Sequence, residues 1–210
     1  MAIKLDYTPA SDPLFAQSKL WGFPDMPEEL DWPEVPVNDD GDEYDDPLTF
    51  ICQIRCSEIA ALDPDGLLPH DGMLYFFGAL DYFLGNLDAP LSPGLGEWEK
   101  PFFRVLYSPS CENLHTHSLL YDDGSPACIR AHKLEFSKVG TEADGFKLLG
   151  VPFYEETRLE NPACFSLLQL DEEDDWELRF FDCGILNFLI SPEDLAARRW
   201  SAVRCWLHSA

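Results

Sequence analysis

Pro47-Leu48-Thr49-Phe50-Ile51-Cys52-Gln53-Ile54, followed by Asp71-Gly72-Met73-Leu74-Tyr75-Phe76-Phe77, is the stretch whose reading decides the fold. Each half is a short apolar run bounded by turn signals, and the aromatic and branched side chains favour strands. The same grammar returns at Phe165-Ser166-Leu167-Leu168-Gln169-Leu170 and Asp182-Cys183-Gly184-Ile185-Leu186-Asn187-Phe188-Leu189-Ile190. Upstream of each block stands a Gly-x-Pro turn, Trp21-Gly22-Phe23-Pro24 in the first case and Leu149-Gly150-Val151-Pro152 in the second. The repeated order predicts a mainly β domain spanning residues 1–210, built from two related, duplicated halves. They run over about 18–107 and 146–208, with a few short peripheral helices. Gln53 and Gln169 fall at corresponding places, where a buried amide must tie a neighbouring backbone to the core.

Outward from these blocks the elements are weaker. Phe102 to Tyr107, Ala131 to Val139 and Ala202 to Leu207 read as further strands. Ser57 is placed to cap a helical turn over 57–62. Ser191-Pro192-Glu193-Asp194 carries a hydroxyl cap, a proline at the first helical position and acids near the positive end of the dipole. Residues 1–17 read as a loose or helical lead-in, with Ser11-Asp12-Pro13 as the start signal. Residues 25–46 hold Asp25, Glu28, Glu29, Asp31, Glu34, Asp39, Asp40, Asp42, Glu43, Asp45 and Asp46 with no Lys or Arg. Three prolines interrupt that stretch, so it reads as a solvated, acidic, Pro-rich loop with a disordered tip.

The pieces Ser18-Lys19 with Gly22-x-Pro24, Trp32-Pro33, Pro47 to Ile59, Asp71 to Phe77, Leu149-Gly150-x-Pro152, Leu167 to Asp171, and Asp182-Cys183-Gly184 running on to Glu193-Asp194-Leu195 occur in a fixed order. In that combination the chain resembles the YwqG-like family, a bacterial domain of unknown function. The resemblance covers nearly the whole chain and implies a mostly β, roll-like fold with internal duplication. It brings no catalytic residues. On this reading Gly22, Pro24, Gln53, Gly72, Gly150, Pro152, Gln169 and Gly184 are structural.

Lys and Arg number 14 against 39 Asp and Glu, a formal net charge of −25. Such a surface repels phosphate backbones and anionic membranes, and it steers a basic protein inward. Solubility alone is the competing reading. No leader-like or membrane-spanning apolar run stands out. Seven Cys without a disulfide-scaffold spacing predict reduced thiols and a cytoplasmic protein. The expectation is a non-enzymatic interaction module for a basic protein, with no cofactor. Its contact residues are Trp32, Asp39, Asp40, Asp42, Tyr44, Asp45 and Trp176, the aromatics serving as anchors within or beside the acid runs 25–46 and 171–175. The alternative is a zinc-assisted hydrolase using Cys111, His115, His117, Cys128 and His132, five soft ligands within 22 positions.

Overall fold

The computed structural model describes residues 1–39 and 41–210. Its strands are β1 (Ala2–Pro9), β2 (Lys19–Leu20), β3 (Asp25–Pro27), β4 (Glu34–Asp39), β5 (Asp42–Pro47), β6 (Thr49–Arg55), β7 (Met73–Gly78), β8 (Gly96–Trp98), β9 (Phe103–Ser108), β10 (Leu114–Thr116), β11 (His132–Val139), β12 (Lys147–Leu148), β13 (Phe165–Leu170), β14 (Ile185–Ile190) and β15 (Arg204–His208). Three short helices, α1 (Cys56–Ile59), α2 (Glu155–Glu160) and α3 (Pro192–Ala196), lie at element ends. The fold is mainly β, as the apolar blocks predict.

Eleven strands form one antiparallel sheet in the order β8-β15-β14-β13-β12-β1-β11-β2-β6-β7-β9. It curls until it is nearly a closed barrel. Phe76 of β7 then meets Phe188 of β14 edge-on, 5.4 Å between ring centroids, across the shared core. β6, β7, β13 and β14 are buried on both faces, which is why they read as continuous apolar runs. In β7, Leu74 and Phe76 enter the main core, while Met73, Tyr75 and Phe77 enter a second, smaller one with Met26, Val35 and Leu48.

Positions on either side of the sheet's middle correspond closely. Lys19-Leu20 of β2 pairs with Gln53-Cys52 of β6, and Lys147-Leu148 of β12 pairs with Gln169-Leu168 of β13. Both β6 and β13 carry a register shift, between Phe50 and Cys52 and between Ser166 and Leu168. Gln53 accepts from Asp25 N–H at 2.8 Å and donates to the Gln17 carbonyl at 2.8 Å. Gln169 accepts from Phe153 N–H at 3.1 Å and donates to the Gly145 carbonyl at 2.9 Å. Each glutamine therefore clamps a turn to a strand, as the buried amides demand. Gly22 and Gly150 lie at φ of 76° and 82°, where a Cβ would come within 2.8 Å of the Ala131 Cβ and 2.9 Å of the Ala2 Cβ respectively. Only glycine lets these chains cross so closely in that conformation.

The N-terminal stretch departs from expectation. Residues 2–9 are not a loose lead-in but β1, paired with β11 from Ala2 opposite Val139 to Pro9 opposite His132, near the middle of the sheet. Ile3 and Leu5 alternate inward with Lys4 and Asp6 outward, a period of two. The acidic stretch 25–46 is likewise not an irregular loop. It contributes β3, and β4 and β5 form a two-stranded hairpin with Val35 and Val37 buried beneath it. Pro36 sits in this isolated hairpin, where one edge needs no ladder partner. Helix α1 starts at Cys56 with Arg55 as its N-cap, two residues earlier than the expected Ser57 cap. Helix α3 is capped by Ser191, whose hydroxyl accepts from Asp194 N–H at 3.1 Å.

Candidate functional site

The acidic hairpin leans over the first half and leaves a cavity of about 460 Å³ between β5, β6 and the segment 119–129. Trp21, Trp32, Phe50 and Tyr121 give it aromatic walls, and Asp46 and Asp81 bring two carboxylates into it. Register explains the placement of Asp46. It stands opposite Val35, and Tyr44 stands opposite Val37, so both side chains share the inward face of the hairpin. Glu43 and Asp45 take the outward face. Burial pushes the Asp46 carboxyl up, and the neighbouring charge of Asp81 adds to the effect. Asp81 accepts from the Thr49 hydroxyl at 2.6 Å. Among the described residues lining the cavity there is no Lys or Arg.

Trp32 is half-buried and is both clamp and wall. Its indole N–H donates to the Leu48 carbonyl at 2.8 Å, and its ring meets Phe77 edge-on at 5.6 Å. Tyr121 is exposed on a tight turn closed by Gly124 N–H to its carbonyl at 2.8 Å.

Behind this cavity lies a buried ion pair. Lys19 Nζ donates to Asp25 at 2.8 Å, with side chains 6% and 1% exposed. The Asp25 carboxylate also accepts from Ala16 N–H at 2.9 Å, Gln53 Nε2 at 3.0 Å and the Thr116 hydroxyl at 2.7 Å. Burial lowers the Lys19 pKa, and Asp25 holds part of it back. Lys147, the counterpart of Lys19, has no carboxylate partner among the described residues. Its ammonium donates to the carbonyls of Ala143, Val151 and Thr141, and burial pulls its pKa down to about 8.

Of the expected contact residues, Asp42, Tyr44 and Asp45 are exposed on β5. Asp39 lies in β4 opposite Asp42, and Asp40 falls outside the described residues. Trp176 corrects the expectation. It is 7% exposed and packs on Tyr7 at 4.7 Å and Trp21 at 5.4 Å, so its ring belongs to the main core. Much of the second acid run is also turned inward: Glu172 accepts from Phe180 N–H at 2.8 Å and Gly184 N–H at 3.0 Å, and Glu173 accepts from the Tyr7 hydroxyl.

The five zinc candidates are dispersed. Cys111 packs at the edge of the second core, and His115 is exposed on β10 opposite Met26. His117 N–H donates to the Pro24 carbonyl at 3.0 Å, and Cys128 lies beside the cavity with its thiol pushed up by burial. His132 is buried at the start of β11 against Trp176, 5.1 Å away, its Nδ1 2.9 Å from the Arg130 carbonyl. Among the described residues no group of three or more His, Cys, Asp or Glu is placed to hold a metal ion. Among the same residues no helix is long and apolar enough to cross a membrane.

Asp81 and Tyr121 escaped the sequence reading because neither sits in a motif; only the fold brings them to Asp46. No curated protein matches the chain. A family model described as a domain of unknown function, DUF1963, matches residues 18–143 and 130–208. Those spans take in most of the strands and the whole cavity wall, and the chain belongs to this family of unknown function.

Proposed function

We propose that this protein is a non-catalytic, acidic interaction module of the cytoplasm that binds a basic protein. The observation that carries the reading is the β4–β5 hairpin. It holds Asp42, Glu43 and Asp45 exposed on β5, the strand whose Asp46 lines an aromatic cavity, in a chain of net charge −25. Exposed carboxylates supply long-range attraction, which raises association rates by roughly 10- to 1000-fold at low salt. The aromatic cavity supplies the apolar centre that residence on the surface needs. On the same reading the chain is a YwqG-like member of its family, and its two halves descend from one duplicated unit. The matching Lys-Leu-x-Gly-x-Pro turns and paired glutamines support that descent.

The test uses a synthetic peptide of alternating Arg and Ser, with association followed by stopped-flow tryptophan fluorescence over a range of ionic strength. Replacing Asp42 and Asp45 by Asn and Glu43 by Gln should slow association and flatten its salt dependence. Trp32→Ala should mainly speed dissociation. An on-rate indifferent to salt in the unmodified protein overturns the proposal.

A further inference from the structure

We infer that the cavity between β5, β6 and segment 119–129 is a pocket for a single peptide arginine, a specificity that rests on and sharpens the basic-partner reading. Three observations converge. The first is charge without a counterion. Asp46 and Asp81 enter one cavity of about 460 Å³, and among its described lining residues no Lys or Arg answers them. Elsewhere the fold pairs acids where it can, as Arg199 does with Glu193 and Asp194, or Arg204 with Glu97.

The second is the wall chemistry. A guanidinium is planar, weakly hydrated and stacks on aromatic faces, and it can address carboxylates through several donors at once. Trp32 and Tyr121 are lining aromatics for such stacking, while Leu48 and Ile129 add apolar lining for an aliphatic stem. A lysine ammonium would use the carboxylates but not the stacking.

The third is an unused donor. Trp21, 1% exposed and packed on Trp176, forms part of the wall, and its indole N–H, like those of Trp176 and Trp200, has no acceptor among the described residues. A buried donor of this kind calls for a partner. A ligand that brings a carbonyl acceptor together with a cation fits all three features, and an arginine within a peptide does so. Free alkylguanidines carry the cation alone.

The experiment is a titration of the full chain with N-acetyl-arginine amide, N-acetyl-lysine amide and n-propylguanidine, read by NMR shifts of the tryptophan indole N–H signals. The arginine amide should bind saturably, about tenfold more tightly than the lysine amide, and should move the Trp21 and Trp32 signals. Propylguanidine, lacking the acceptor, should bind more weakly than the arginine amide. Asp81→Asn, at an exposed side chain, should weaken the arginine amide by about tenfold while leaving the unfolding midpoint nearly unchanged. Thr49→Val, which frees Asp81 without removing its charge, should cost less than Asp81→Asn. Equal affinity for the lysine and arginine amides, or binding untouched by Asp81→Asn, overturns the pocket. The two readings separate cleanly. If the Arg-Ser peptide depends on the exposed hairpin acids but ignores Asp81→Asn, the pocket falls and the partner reading stands. If the arginine amide binds as described but the peptide's on-rate ignores salt, the pocket stands and the partner reading falls.

Discussion

Asp25→Asn is the perturbation that weighs the buried ion pair. The substitution keeps the shape and removes the charge, leaving the Lys19 ammonium almost wholly buried with no counterion. Breaking a buried pair from one side costs about 3–5 kcal/mol, because the remaining charge is uncompensated. Lys19→Met is gentler. It leaves the Asp25 carboxylate with the Ala16, Gln53 and Thr116 donors at 2.7–3.0 Å, so its loss is set at about 1–3 kcal/mol. In the double variant both charges are gone. Its loss should fall short of the sum of the singles by about 1–3 kcal/mol, the coupling energy of groups in direct contact. Urea unfolding at neutral pH, with the slope checked for constancy across variants, measures all three. The pH dependence gives a second reading. Burial lowers the folded-state pKa of Lys19, and removing Asp25 takes away the interaction that opposes the drop. The unfolded chain then binds the proton more tightly than the folded one. Stability of Asp25→Asn relative to wild type should therefore rise as pH climbs from the lowered folded value toward the ordinary lysine value. Losses that add to within about 0.5 kcal/mol would refute the reasoning. They would mean that the three hydrogen bonds from Ala16, Gln53 and Thr116, rather than the pairing with Lys19, stabilise the site.

Lys147 should impose a separate alkaline signature. With a folded pKa of about 8 against an ordinary 10.5, it makes wild type gain stability relative to Lys147→Met across that window, by up to about 3 kcal/mol. The thiols of Cys52, Cys56 and Cys205, held up by burial, pull the other way in both proteins and cancel in the difference. Paired melts from pH 7 to 10.5 would show it, and a flat difference would show that the three carbonyls hold the ammonium charged. Gly72→Ala should cost about 2–4 kcal/mol in urea unfolding, since its Cβ would stand 2.1 Å from the Ser108 carbonyl oxygen at a φ of 82°. Gly124→Ala has the same sign of φ and open space around it, so its cost should be nearer 1 kcal/mol. Equal costs would mean that backbone strain, not the close approach, sets the glycine requirement.

What was legible in the sequence was whatever had a local physical signature. β6, β7, β13 and β14 are buried on both faces, so their apolar runs announce them without any knowledge of neighbours. Gly22 and Gly150 announce turns because few other residues accept their backbone angles. β1 was illegible for the opposite reason. Its alternation is short, its outward face is charged, and Ser11-Asp12-Pro13 imitates a helix start. Yet Ala2-Ile3-Lys4-Leu5-Asp6-Tyr7 echoes Ala131-His132-Lys133-Leu134-Glu135-Phe136, and that echo was a usable signal for the two strands that lie side by side. The acidic stretch shows the deeper difficulty. Charge density records how many carboxylates a segment carries and not where each one goes. Asp25 is almost completely buried and fixes a lysine. Asp46 turns inward beside Val35 and walls a cavity, and Asp42 and Asp45 face solvent. Three environments give three consequences for one residue type: a cost met by a counterion, a carboxyl raised by its neighbours, and a field felt at a distance. Strand register, fixed by Val35 and Val37 seeking the core, separates inward Asp46 from outward Asp45, and position along β5 leaves Asp42 exposed at the far end of the hairpin. The function proposed here therefore turns on two small apolar residues as much as on the charges around them.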